Sequence, residues 1–60
     1  MTAREIERLI RQAGWVEIRC KGGHMQFGHK DKPHTITIPQ HSGDISKGTA
    51  HSILKAAGLK

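Results

Sequence analysis

Cysteine, aromatic residues and acidic residues are all scarce in this 60-residue chain. The single cysteine, Cys20, cannot form an intramolecular disulfide, which excludes a disulfide-stapled secreted miniprotein. No window approaches the ~20 apolar residues that a membrane-spanning helix needs, and no apolar run behind a charged start resembles a signal peptide. We therefore expect a cytoplasmic protein without a membrane partner.

The charge balance is strongly basic. Lysine and arginine total 10 and aspartate and glutamate total 5, which gives a net charge of +5 and favours a polyanionic partner. The alternative is that the positive charge serves only to keep the protein soluble. A chain this short buries only about 60 % of its unfolded surface. We expect a single domain over residues 1–60 with a shallow site on an exposed face.

The apolar periodicity predicts a helix near each end of the chain. Thr2 begins a capping box for a helix over residues 3–13. Ser46 caps a second helix near 47–57, whose stripe of apolar residues recurs at helical spacing. Two glycines are assigned as left-handed C-terminal caps, and a leucine as the hydrophobic contact that follows the second: Gly14, Gly58 and Leu59.

Between the helices, alternating apolar and polar residues predict three short strands at 15–20, 24–28 and 35–38. Short turns connect them, so they form an antiparallel meander. The apolar stripes of both helices need a surface to cover, and the sheet offers one apolar face. The fold class is therefore α+β, a helix, a three-stranded antiparallel sheet and a helix, with both helices on one face.

Strict alternation assigns the side chains of the sheet to its two faces. In the first strand it places Val16, Ile18 and Cys20 on the buried face. The opposite face stays uncovered and is expected to carry Trp15, Glu17, Arg19, His24, Gln26, Thr35 and Thr37.

Five histidines are many for this length, and His24 stands out among them. Two preceding glycines let a ligand approach the backbone closely, and imidazole is the usual proton-transfer group near neutral pH. The alternative is an inert exposed side chain. His41 either bonds its own loop or reaches RNA. Three others are expected to be solvated: His29, His34 and His51.

Neither a metal nor a cofactor is expected. The histidines and the lone cysteine match no zinc-ligand spacing. The glycine pair lacks the length and the Lys-Ser/Thr end of a phosphate-binding loop, and the acidic residues are not paired for two-metal chemistry.

Basic residues at the turns and at the start of the second helix are candidate phosphate contacts. With the glycines between them, the candidate RNA-binding residues are Arg19, Lys21, Gly22, Gly23, Lys30, Lys32 and Lys47. Trp15 either stacks on a base or partner or covers the sheet edge.

Three segments resemble, in order, those of the HicA toxin family. Lys21-Gly22-Gly23-His24-Met25-Gln26-Phe27 resembles its Gly-Ser-His-x-x-Phe stretch, residues 38–43 resemble its Ile-Pro-x-His segment, and residues 48–59 resemble its closing helix. The resemblance implies a double-stranded-RNA-binding-like fold and a toxin that cleaves mRNA and is held inactive by a HicB-type antitoxin. The family's catalytic histidine corresponds to His24. Gly23 replaces the usual serine, and Met25 replaces the second histidine of many members.

The resulting hypothesis is a metal-independent endoribonuclease toxin with His24 as general base on a 2′-hydroxyl, as general acid on the leaving oxygen, or as both. Lys21 is the nearest candidate for stabilising charge on the phosphate, and His41 is a possible auxiliary group. A HicB-type antitoxin is expected to cover the exposed sheet face. Two alternatives remain open: a non-catalytic double-stranded-RNA-binding module, and a protein-interaction module that recruits a transcriptional regulator.

Overall fold

The computed structural model describes residues 1–40 and 43–60. It contains two helices and three strands in the predicted order, so the α+β class is confirmed. The strands form one antiparallel sheet of order β1-β2-β3. In chain order the elements are α1 (Ala3–Gln12), β1 (Val16–Lys21), β2 (His24–His29), β3 (Lys32–Pro39) and α2 (Lys47–Ala56).

Both helices begin at the predicted caps. The Glu5 amide donates to the Thr2 hydroxyl at 3.1 Å, and the Thr2 amide donates to the Glu5 carboxylate at 2.9 Å, which completes the capping box. The hydrogen bond from the Thr2 amide to the carboxylate, followed by the interaction of the Thr2 side chain with it, holds the pKa of Glu5 below its usual value. At α2 the Thr49 amide donates to the Ser46 hydroxyl at 3.4 Å.

Both helices end in the same glycine-dependent motif. Gly14 has φ +99°, its amide donates to the Arg11 carbonyl, and the Trp15 amide donates to the Ile10 carbonyl, each at 3.0 Å. This Schellman arrangement turns the chain back across the end of the helix. It therefore directs the residue after the glycine, Trp15, towards the interior.

The helices lie together on one face of the sheet and enclose a single hydrophobic core. The strand contribution comes from β2 and β3, whereas every residue of β1 is exposed, so β1 extends beyond the cover of the helices. The buried core residues are Ala3, Ile6, Ile10, Trp15, Phe27, Ile36, Ile38, Ile45, Ala50, Ile53, Leu54 and Ala57.

The predicted faces of the first strand are wrong at its beginning. Trp15, expected on the open face, is only 2 % exposed, and its indole N–H donates to the Ala57 carbonyl at 3.2 Å. Glu17, also expected there, pairs with buried Phe27 and accepts from Arg11 of α1 at 3.1 Å. The Schellman turn explains the error, because it points Trp15 inward and alternation then carries Glu17 to the same side.

The apolar residues of the first strand are correspondingly not buried. Val16 and Ile18 are 63 % and 57 % exposed. Cys20 pairs with the partly buried Met25 and so faces the helix side as predicted, but it is exposed because β1 lies outside the helical cover.

His29 is partly buried and supports the end of α1, which corrects its expected solvation, whereas His34 is exposed as expected and also supports the end of α2. The partly buried His29 accepts from the Asp31 amide through Nδ1, so its Nε2 carries the proton and donates to the Ala13 carbonyl at 3.1 Å. His34 Nε2 donates to the Ala56 carbonyl at 2.9 Å. The two imidazoles flank the Trp15 ring at centroid distances of 5.2 and 5.4 Å.

The third strand is longer than predicted. It begins at Lys32 and includes Pro33, and the turn before it consists only of Lys30 and Asp31. Proline has no N–H to donate, and an edge strand such as β3 tolerates it where the backbone nitrogen faces solvent and needs no hydrogen-bond partner. Across the described residues, no helix combines the length and apolar character needed to span a membrane.

Candidate active site

The β1–β2 hairpin turn positions the histidine singled out from the sequence. Its two central residues, Gly22 and Gly23, have φ +58° and +77°, the combination that a type I′ turn requires. No atom among the described residues lies within 4 Å of a Cβ built on either glycine, so backbone conformation and not crowding favours glycine here. The turn places Lys21 directly opposite His24.

His24 is exposed and has a defined hydrogen-bond partner. Its Nδ1 lies 3.2 Å from the Gly22 carbonyl oxygen. A carbonyl oxygen only accepts, so Nδ1 carries the proton in this hydrogen bond. In the neutral ring the lone pair is then on Nε2, away from the turn. The local backbone thus selects the tautomer in which Nε2 accepts a proton.

A bulge in β1 brings two cationic side chains to the face of His24. The register shifts by one residue between Glu17 and Arg19, so Ile18 is an extra residue in β1. Beyond the bulge Arg19 pairs with Gln26 and Lys21 pairs with His24.

Four side chains on this open face line a shallow depression of about 160 Å³: Arg19, Lys21, His24 and Gln26. Within it, Arg19 Nε donates to Gln26 Oε1 at 3.2 Å. The end of β3 borders the turn, where the Gln40 amide donates to the Gly23 carbonyl at 2.7 Å. The depression therefore combines one imidazole, which can transfer a proton, with two cations, which can bind an anion.

The other basic candidates lie elsewhere. Lys30 and Lys32 flank the opposite end of β2, about 20 Å from His24 at ~3.3 Å per strand residue. The Lys32 ammonium lies beside Gly58, near the end of α2. Lys47 begins α2 and lines a separate groove with Met1, His51 and Leu54 among others. The remaining candidate, His41, lies outside the described residues.

The structure therefore brings together five of the predicted residues, Arg19, Lys21, Gly22, Gly23 and His24, and separates Lys30, Lys32 and Lys47 from them. It adds Gln26, which alternation placed on the open face but which no motif marked as functional. The feature that marks Gln26 as functional is its cross-strand pairing with Arg19, and this pairing depends on the bulge in β1. Among the described residues, no three His, Cys, Asp or Glu side chains gather as metal ligands do.

Apolar surface adjoins the cationic depression. Ile18 lies over Gly28, since a Cβ built on that glycine would be 2.8 Å from Ile18 Cδ1. Val16 pairs with the same glycine and is also exposed. The open face therefore carries an exposed apolar pair next to its cations.

Fold and site together define a small basic α+β domain whose open sheet face presents a histidine beside two cations. A family model described as "HicA toxin of bacterial toxin-antitoxin" matches residues 3–59. The chain therefore belongs to the HicA toxin family and is a toxin of a toxin–antitoxin system, with an antitoxin as its general partner. No curated protein sequence matches the chain.

Proposed function

We propose that this toxin is a metal-independent endoribonuclease that cleaves mRNA in the cytoplasm, with His24 as general acid and base. The observation that carries the proposal is the geometry of His24. Its Nδ1 is engaged by the Gly22 carbonyl, its Nε2 has no hydrogen-bond partner among residues 1–40 and 43–60, and Arg19 and Lys21 line the same depression.

The chemistry that fits this arrangement is attack by a ribose 2′-hydroxyl on the adjacent phosphate. His24 Nε2 accepts the proton of the hydroxyl while the O2′–P bond forms and the P–O5′ bond breaks. The products are a 2′,3′-cyclic phosphate and a 5′-hydroxyl. The departing oxygen takes its proton either from protonated His24 or from a second group, for which His41 is the candidate.

The two cations supply the electrostatic part of the mechanism. Negative charge accumulates on the phosphate oxygens in the transition state, and fixed positive groups there lower the barrier. Arg19 and Lys21 are the candidates beside His24, because Lys30, Lys32 and Lys47 lie elsewhere. These distant lysines remain candidates for contacts with RNA beyond the cleaved bond.

We also propose that the partner is a HicB-type antitoxin that covers the open sheet face. Exposed Val16 and Ile18 offer apolar area, and Arg19 and Lys21 offer positive charge on the same side. A partner with acidic residues opposite these cations would associate quickly through electrostatic steering. Covering this face would also remove His24 from contact with RNA.

The decisive experiment compares His24→Ala with His51→Ala, an exposed histidine on α2. Purified toxin is incubated with labelled RNA in EDTA, and each variant is expressed at matched level to score growth arrest. We expect His24→Ala to lose at least ~10²-fold in cleavage rate and to keep its unfolding free energy within ~0.5 kcal/mol. His51→Ala should match the parent protein in every assay.

Three results would contradict the proposal. Full activity of His24→Ala would remove the catalytic assignment, and loss of cleavage in EDTA would indicate a metal-dependent reaction. RNA binding without cleavage by the parent toxin would favour the non-catalytic double-stranded-RNA-binding module.

A further inference from the structure

We propose that Arg19 binds the phosphate being cleaved and that Gln26 is its positioning residue, so that the two side chains form a phosphate clamp. This inference rests on the proposed ribonuclease function and specifies which group of the open face holds the reacting anion.

The first argument is the geometry of the guanidinium. Arg19 uses Nε to donate to Gln26 Oε1 at 3.2 Å. Guanidinium carries five N–H donors in a rigid plane, and one bond at Nε leaves the two terminal nitrogens to face an anion in parallel. Fixing Nε also reduces the rotamer freedom that an exposed arginine loses when it binds.

The second argument is that the bulge in β1 is what places Arg19 opposite Gln26. In a regular strand of the same residues, strict alternation from buried Trp15 would direct Arg19 to the helix side. The bulge reverses that direction and sets Arg19 opposite Gln26. Bulges occur preferentially beside active sites, where they re-aim a side chain.

The third argument distinguishes Arg19 from Lys21, the other cation of the depression. Lysine carries a compact charge on a flexible stem and contacts phosphate as a point charge, whereas arginine matches two phosphate oxygens at once. Arg19 is also the one whose head group forms a hydrogen bond within the described residues. We therefore assign orientation of the phosphate to Arg19 and longer-range attraction to Lys21.

A double-mutant cycle tests the proposal. Gln26→Met keeps the length of the side chain and removes the acceptor, and Arg19→Lys keeps the charge and removes the planar fork. Gln12→Met, at an exposed position of α1, is the matched control. We expect Gln26→Met to lower kcat/KM roughly tenfold or more, since small displacements of a reacting group are costly. In the Arg19→Lys background the same substitution should change nothing further.

A binding measurement separates this proposal from the ribonuclease function. RNA carrying 2′-O-methyl groups binds but has no hydroxyl to attack, and it is titrated into ¹⁵N-labelled toxin while the Arg19 Nε–H signal is followed by NMR. We expect RNA to shift this signal in the parent protein, and Gln26→Met to weaken both the signal and the shift. Gln12→Met should leave both unchanged.

Each outcome decides the proposal. Equal losses from Gln26→Met in both backgrounds, or no loss in the parent, would overturn it. So would an Arg19 signal that RNA leaves unmoved. If the parent toxin cleaves no RNA, the ribonuclease function fails while the titration still decides whether Arg19 and Gln26 hold phosphate.

Discussion

Replacing Trp15 by phenylalanine tests how the two helices are joined to the sheet. The indole is 2 % exposed, lies against the imidazoles of His29 and His34, and donates to the Ala57 carbonyl at the end of α2. Phenylalanine keeps an aromatic ring in the core but has no N–H. The substitution therefore leaves a buried carbonyl without its donor and opens space where the larger ring lay.

The expected cost follows from these two losses. An orphaned buried acceptor costs about 1–3 kcal/mol, and the smaller ring adds roughly 1 kcal/mol. A domain of this size has a total unfolding free energy of roughly 3–9 kcal/mol, at ~0.05–0.15 kcal/mol per residue. Trp15→Phe should therefore remove about 2–4 kcal/mol, a large share of the total. At about 4–8 °C per kcal/mol, the melting temperature should fall by roughly 10–30 °C.

Urea and thermal unfolding followed by far-ultraviolet circular dichroism measure this change. Val16→Thr is the matched control, because Val16 is the next residue and is 63 % exposed. We expect the control to stay within ~0.5 kcal/mol of the parent. A cost below that value for Trp15→Phe, or an equal cost for Val16→Thr, would refute the inward position of Trp15.

Three further predictions follow from the charges and the open face. The logarithm of RNA affinity should fall linearly with the logarithm of salt concentration. Lys21→Ala should reduce the magnitude of this slope by roughly 0.7, whereas Lys55→Ala on α2 should leave it unchanged. A flat salt response would mean that the positive charge serves only solubility. Because the folded-state pKa of Glu5 is lowered, its carboxylate adds stability that is present above about pH 4.5 and is lost as the pH falls through the folded pKa; the cost of Glu5→Gln in urea unfolding should shrink in acid, and a cost that stays constant would contradict this. In the antitoxin complex, NMR shifts should cluster on the open face, the melting temperature should rise, and Ile18→Asp should weaken binding while Ser52→Asp on α2 should not; shifts confined to the helices would exclude direct occlusion.

The sequence was sufficient to predict the elements whose signals are local. The capping box at Thr2, the cap at Ser46 and the glycine stops are short-range hydrogen-bond patterns, and both helices begin where Thr2 and Ser46 predict them. The position of His24 was also predictable, because a two-glycine turn immediately precedes it. The tautomer of His24 was not, since it depends on a carbonyl distance that only the folded turn fixes.

The position of Trp15 was predictable in principle from a motif already recognised at the other helix. The pair Gly58–Leu59 was assigned as a cap with a hydrophobic contact, and Gly14–Trp15 has the same pattern after α1. The strand alternation of the following residues competed with that signal and gave the wrong face. Of the two residues that follow these glycines, Trp15 packs into the core, while Leu59 remains 43 % exposed.

The bulge reconciles these conflicting signals and connects the fold to the site. Trp15 and Arg19 are four residues apart, so a regular strand would direct both to the same face. The Schellman turn requires Trp15 in the core, and the depression beside His24 requires Arg19 on the open face. Only an extra residue between them satisfies both demands, and Ile18 supplies it. A one-residue irregularity thus lets the same short strand anchor the core at its start and present a cation to the candidate active site four residues later.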